Sequence, residues 1–341
     1  MTVRVGSFTG AASEWDACVR SCTGWTPFHL HGMMDVIRRV HGHECLALAA
    51  RDDADRLTGV LPLVRVRSVL FGHYLVSMPF VNYGGPLGSA EAVRALGSHA
   101  AGLAEAGGVK LLELRSLVEL PIDLPVSHRK ITVVLDLPPG DPEKLMASFK
   151  GKLRSQVRRP QKEGVEVKFG RDQVAPFFDV FASHMRDLGT PTQPRALFEA
   201  LAGQFGEDIW FGCAWLGGKA IAAGCGFRWG SEFEMTWASS LTAYNQIAPN
   251  MGLYWGFMER ASREGLSLFN FGRCTPGSGT HRFKLQWGSR DVPLYWYQWS
   301  KGEAKTPSPD DGAYSLGPRV WKKLPVPLAT FLGPRIVRGI P

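Results

Sequence analysis

An internal duplication limits this chain more than any other feature. Residues 108–116 read GVKLLELRS and residues 265–273 read GLSLFNFGR. Each follows a helical pattern, AVRALGSHAAGLAEAG in one case and MGLYWGFMERASREG in the other. Upstream, CLALAARDDADRLTGVLPLVRV and WFGCAWLGGKAIAAGCGFRW both read as strand, polar turn, strand. The two offsets agree at roughly 160 residues, so a whole domain is doubled rather than a short solenoid unit.

Each half reads as two helices, a meander of antiparallel strands, a further helix and a final strand. That is an α+β plan, a mostly antiparallel mixed sheet flanked by helices. The 341 residues divide accordingly into a first domain at 1–140, a basic connecting helix at 141–165, a second domain at 166–300 and a basic, proline-containing tail at 301–341. Hydrophobic content of 45% and charged content of 21% suit such cores. The longest apolar runs, such as YLVSMPFV, are too short to cross a bilayer, and the N-terminus lacks a secretory apolar core. The expectation is a cytoplasmic protein, with the inner face of the membrane as a peripheral alternative. The six cysteines form no CxxC pair and the nine histidines no HExxH, so no metal is expected.

A net charge of +8 favours anionic partners. The densest cations lie in DPEKLMASFKGKLRSQVRRPQKEG. Asp141 caps a helix with Pro142 at its first position. Lys150, Arg154, Arg158 and Lys162 recur every four residues and would share one face, with Pro160 kinking or ending the helix. Such a stripe is either a solvated face or a contact for nucleic-acid or other phosphates. From residue 312 onward the tail holds five Lys or Arg and no acid, mixed with Trp321 and Phe331. Packing over the second domain is the reading adopted; rest on an anionic membrane surface is the alternative.

The segment FNFGRCTPGSGTHRFKLQWG, residues 269–288, passes from an apolar strand through a glycine loop to Phe283 and Lys284. Gly277, Ser278 and Gly279 are expected to leave backbone amides bare near a helix start at Thr280, an anion nest to which Arg273 adds charge. The alternative is a turn that simply requires glycine. Trp237 and Tyr244 would stack a base or a sugar, or else belong to the core. Arg115, at the equivalent strand end of the first half, is read as a structural ion pair with Glu113, the alternative being a role in the pocket.

PFVNYGGPL (79–87), HMRDLGTP (184–191) and NFGRCTPGSGTHRFKLQWG, in that order, resemble FemAB-like proteins, which look like two fused GNAT-type acyltransferase domains. The variant is similar to those found beside exosortase and exopolysaccharide genes in Gram-negative bacteria. The likeness runs from about Trp15 to Trp299. It implies transfer of an acyl or aminoacyl group to an amine in envelope or exopolysaccharide metabolism. Aminoacyl-tRNA or an acyl-coenzyme A would be the donor, and no cofactor would be tightly bound. Phe283 and Lys284 match the family's aromatic–lysine pair beside the reacting centre. Asn82 and Tyr83, with Gly84 and Gly85, match its first-domain motif and would line the acceptor cleft, the alternative being that Gly84 and Gly85 only form a tight turn between strands. Asn250, a further substrate-binding candidate, matches the asparagine that opens the last long helix. Asp187 and Thr190 are further substrate-binding candidates, and Asp187, His184 and His281 are the candidate bases. Two departures stand out. RCTPGSG is one residue too long for the GNAT pyrophosphate pattern, which weighs against coenzyme A, and a long coiled-coil arm is missing. A non-catalytic scaffold is the remaining alternative.

Overall fold

A computed structural model describes residues 3–69, 71–302 and 316–340. In chain order the first elements are β1 (Arg4–Ser7), α1 (Ala12–Ser21), α2 (His31–His41), β2 (Glu44–Arg51), β3 (Leu57–Ser68), β4 (Gly72–Val76), β5 (Leu87–Gly88), α3 (Ala90–Ala106), β6 (Leu111–Ser116) and β7 (Val126–Ser127). There follow β8 (Ile131–Asp136), α4 (Pro142–Ser148), α5 (Gly151–Lys162), β9 (Glu166–Phe169), α6 (Val174–Leu188), α7 (Arg195–Phe205), β10 (Ile209–Leu216) and β11 (Lys219–Trp229). The last are β12 (Glu232–Ser240), α8 (Pro249–Arg263), β13 (Leu268–Cys274), α9 (Gly279–Leu285), β14 (Arg290–Pro293), β15 (Tyr295–Ser300), α10 (Leu316–Trp321) and α11 (Val326–Val337).

The chain forms two compact units. The first has the strand order β1-β2-β3-β4-β6-β15-β7, with β5 on β3. Its core joins Leu61 and Leu63 of β3, Leu96 and Ala100 of α3, and Leu112 and Leu114 of β6. The Ser89 hydroxyl accepts the Ala92 N–H and so starts α3. The second unit has the order β14-β8-β13-β12-β11-β10-β9. Its core is aromatic: Phe233, Phe257, Phe269, Phe271 and Trp287 are fully buried together.

The two repeated blocks occupy equivalent places. GVKLLELRS contains β6, which runs parallel to β4, and GLSLFNFGR contains most of β13, which runs parallel to β12. The other registers given for both sheets are antiparallel.

Two expectations are corrected. Domain boundaries do not fall at 140 and 300. The strand β8 belongs to the second unit's sheet and β15 to the first's, because β8 pairs with β13 and β15 with β6. Nor is 141–165 one helix. Asp141 caps α4 and Pro142 is its first residue, as expected, but the helix stops before Phe149. Phe149 is extended (φ −74°, ψ 146°) and buries its ring edge-on to Trp255 and Trp287, at 6.1 and 5.6 Å. Burial of that ring outweighs one more helical turn. Pro160 lies inside α5, which ends two residues later at Lys162.

Candidate active site

In the second unit β12 and β13 pair over three residues only, Glu232↔Leu268, Phe233↔Phe269 and Glu234↔Asn270. Beyond that point β12 follows β11 to Ser240, while β13 follows β8 to Cys274. The sheet therefore forks. Two irregularities bend the strands there: a bulge in β12 opposite Cys225/Gly226, and a register slip in β13 between Asn270 and Arg273.

Polar side chains collect at the mouth of the fork. Asn270 accepts from the Thr132 hydroxyl (2.5 Å) and the Gly272 N–H (2.8 Å), and donates to Glu232 (2.9 Å). Burial pushes the Glu232 carboxyl above its ordinary pKa, opposed by the Asn270 bond. Glu234 is fully buried and accepts from the Thr236 hydroxyl at 3.3 Å. Lys284, only 2% exposed, reaches the same place from α9. Its Nζ donates to the carbonyls of Gly272 (2.6 Å) and Arg273 (3.1 Å). Burial lowers its pKa to about 8, while Cys274 and Glu234 pull it up and Arg273 pushes it down.

Lys284 is therefore not a lone ammonium awaiting an anion, as its place after a glycine loop suggests. A buried carbonyl needs a donor. Lys284 supplies one to Gly272 and a second bond to Arg273, where β13 slips register against β8. An ammonium has three N–H donors, so one remains. Phe283 is half-buried against Tyr254, ring centroids 5.0 Å apart, and extends the aromatic core.

The first unit closes its equivalent seam. Past the last pair, Val76↔Glu113, the Ser77 N–H donates to the Glu113 carbonyl and the Ser77 hydroxyl accepts the Arg115 N–H. The N–H groups of Gly84 and Gly85 then both donate to the Arg115 carbonyl, at 3.2 and 2.7 Å. A Cβ on Gly85 would stand 2.7 Å from that oxygen, so the close approach requires glycine. The Arg115 guanidinium bonds Glu113 (2.7 Å) and the Val81 carbonyl, and lies 4.7 Å from the Trp296 ring centre. The expected structural ion pair is present. Asn82 and Tyr83 are buried in this stitched seam, Tyr83 against Phe28.

Residues 147–285 match the acetyltransferase (GNAT) domain family, a span lying inside the second unit and containing the fork. A crystal structure of FemX superposes with a TM-score of 0.64 at 15% identity, covering 86% of this chain and 98% of that one. A tandem GNAT protein from the clavulanic acid biosynthesis pathway gives 0.54 at 12% identity, covering 89% and 100%. The chain has the fold of the FemAB-like tandem GNAT proteins. The structure of L-PGS from Bacillus licheniformis also superposes, with a TM-score of 0.55 at 12% identity over 92% of this chain and 97% of its own. No curated protein matches the chain.

Within the tandem GNAT fold the other expected residues scatter. The anion nest is partly filled. The Gly277 N–H donates to His281 Nδ1 (2.9 Å), and the Ser278 hydroxyl caps α9 by accepting the His281 N–H. With Nδ1 accepting, Nε2 carries the proton and donates to Asp291 at 2.9 Å. His281 is thus a brace, which removes it as a base and Gly277 as a bare amide. The remaining nest residue, Gly279, opens α9. Arg273 lies on β13 at the fork.

Asp187 pairs with its neighbour Arg186 at 2.7 Å, and Thr190 is exposed past the end of α6. Trp237 is half-buried, edge-on to Phe198 at 5.3 Å and tilted against Phe227 at 6.4 Å. Asn250 donates to the Ser240 hydroxyl at 3.0 Å, at the far end of β12, and its buried Oδ1 has no partner among the described residues. Burial lowers the His184 pKa, opposed by a bond to the Ser240 backbone and by Asp187. Three distant stretches, 184–187, 240 and 250, thus meet at one strand end. Of the basic stripe, Lys150, Arg158 and Lys162 are exposed, whereas Arg154 turns back to bond the Ala147 and Phe149 carbonyls.

Glu234, Glu232, Asn270 and Thr132 escape the motif-based reading. Their signal is a polar residue in a strand that is otherwise apolar: Glu234 between Phe233 and Met235, and Asn270 between Phe269 and Phe271.

Proposed function

We propose that this protein transfers an acyl or aminoacyl group to an amine, with the chemistry at the fork of the second unit. The observation that carries this reading is the buried Lys284 ammonium, fixed by two carbonyls at the point where β12 and β13 part. An amine nitrogen attacks the donor's carbonyl carbon and a C–N bond forms. The former carbonyl oxygen takes negative charge in the tetrahedral intermediate. The third Lys284 proton faces that charge, held in place before the reaction begins, and one such donor in a dry site contributes about 3–4 kcal/mol. The C–O or C–S bond to the carrier then breaks, and the proton lost by the amine ends on the leaving group or on water.

The donor is read as an aminoacyl-tRNA. Lys150, Lys152, Arg158, Arg159 and Lys162 of the α5 segment take part in no ion pair among the described residues, and unneutralised cations in a row favour a polyanion. An acyl-coenzyme A donor is the second reading, favoured by the GNAT domain match.

Binding of tRNA, measured by fluorescence anisotropy, should fall steeply between about 50 and 200 mM salt. The change Arg158→Glu with Lys162→Glu should flatten that slope. A shallow slope, together with thermal stabilisation by coenzyme A thioesters, moves the donor to coenzyme A. The wild type should transfer the acyl group to a panel of primary amines and Lys284→Gln should not. Equal rates would remove the fork as the site.

A further inference from the structure

We infer that α10 and α11 form a docking surface for an anionic lipid bilayer. The helix α11 buries Ala329 and Gly333 on its inner side. A Cβ on Gly333 would stand 2.8 Å from the Thr192 backbone nitrogen, so this face is pressed onto the second unit. The opposite face carries Leu328, Phe331 and Arg335, spaced by three and four residues. A helix resting on a globular unit ordinarily shows polar residues outward. This one shows Leu328 at 43% and Phe331 at 61% exposure, and Val320 of α10 is 63% exposed.

Elsewhere among the described residues of this unit the large exposed apolar side chains are Leu188 and Leu285. Leu188 adjoins the same place, because a Cβ on the next residue, Gly189, would stand 2.7 Å from the Pro318 carbonyl oxygen.

Charge selects the occupant. Arg319, Lys322, Lys323 and Arg335 are exposed, and the sequence from 312 to 341 has no acid. None of the four is in an ion pair among the described residues. The Arg335 guanidinium folds over the Phe331 ring, 4.2 Å from its centre, and donates to the Phe331 carbonyl. A long cationic side chain laid on an apolar ring suits a boundary where the ring enters acyl chains and the charge stays among headgroups. A protein partner would need acidic groups matched to each cation. A bilayer with anionic lipid offers both an apolar layer and a diffuse negative field. No helix among the described residues is long and apolar enough to cross a membrane, so the contact is a surface one.

The test is cosedimentation of the full chain with vesicles. One set contains phosphatidylcholine alone and the other about 30% phosphatidylglycerol, each at low and high salt. Binding is expected to the anionic vesicles only, and to weaken with salt. Leu328→Ser with Phe331→Ser should lower the partition coefficient at least about tenfold. Lys322→Glu with Lys323→Glu should lower it by at least about fivefold per residue. All four positions are exposed, and unchanged melting confirms the fold of each variant. Absence of binding to anionic vesicles overturns the inference, as does equal binding to neutral ones or indifference to the substitutions. A wild-type dimer that Phe331→Ser converts to a monomer, without vesicle binding, would assign this face to a second copy.

Discussion

Lys284 Nζ lies 2.6 Å from the carbonyl oxygen of Gly272, inside the stretch where β13 slips register against β8. One side chain thus repairs the backbone at a fork and presents a charge there. In the proposed reaction the same side chain would hold both a structural and a chemical role, and substitutions must separate them.

Lys284→Met removes the donor from two carbonyls, at roughly 1–3 kcal/mol for each buried group left unsatisfied, but also relieves the cost of the buried charge, so the net loss of stability at about pH 7 should be smaller than that sum. Lys284→Gln keeps amide donors and should recover part of that loss. Both should lower kcat/KM by about two to three orders of magnitude. Denaturant midpoints and initial rates on the same preparations measure the two effects. A stable Lys284→Gln protein with wild-type rates would leave the lysine only its structural role.

The depressed pKa of Lys284 has a pH signature. Burial brings it from 10.5 to about 8. Between these values the unfolded chain binds the proton and the folded one does not, so stability rises with pH across that window. Below about 8 both states are protonated and the full cost of the buried charge is present. The gain on passing to 10.5 is on the order of 3 kcal/mol. Activity should run the other way, with kcat/KM falling as pH rises through 8. Stability and rate profiles measured from pH 7 to 10.5 should therefore diverge.

His29 predicts an acid limb in the first unit. Its Nδ1 accepts the Thr26 N–H at 3.1 Å, and burial lowers its pKa from 6.5 to about 4. Between 4 and 6.5 the unfolded chain binds the extra proton, so stability present above 6.5 is lost as pH falls toward 4. The slope from this group is at most about 1.4 kcal/mol per pH unit. His41, also lowered by burial to about 4, adds to it. Urea midpoints at successive pH values should show the limb, and His29→Phe should make it shallower.

Glu113 and Arg115 form a pair that is safer removed whole than halved. Arg115→Met leaves the Glu113 carboxylate buried beside Gln298 alone, and should cost about 3–5 kcal/mol. Adding Glu113→Leu should return much of that loss. A double-mutant cycle by equilibrium unfolding measures the coupling, and simple additivity would show that the pair is not a unit.

Much of the fold is legible in residue order. Equivalent blocks around 108 and 265 place two strands correctly, because a strand after an Ala-rich or Glu-bearing helix carries a local pattern; that each lies parallel to a neighbour comes from the structure. Asp141 and Pro142 mark a helix start by chemistry confined to one turn. The break at Phe149 is not legible, because it depends on two tryptophans more than a hundred residues away. The nest at Gly277 misleads for a similar reason: only folding shows that His281 takes its N–H while Asp291 holds the other ring nitrogen.

The sequence by itself determined that this chain is doubled, that each half alternates helices with a strand meander, and that Lys284 follows the last helix-to-strand passage. These are properties of neighbours along the chain: period, capping and turn residues. Only the tertiary structure decided that the seam of the first unit closes while that of the second parts, that β8 and β15 join sheets outside their expected domains, and that the lysine is already bonded. Those outcomes depend on contacts such as Thr132 to Asn270, separated by 138 positions, where the partner of a strand edge is chosen by competition among all edges at once.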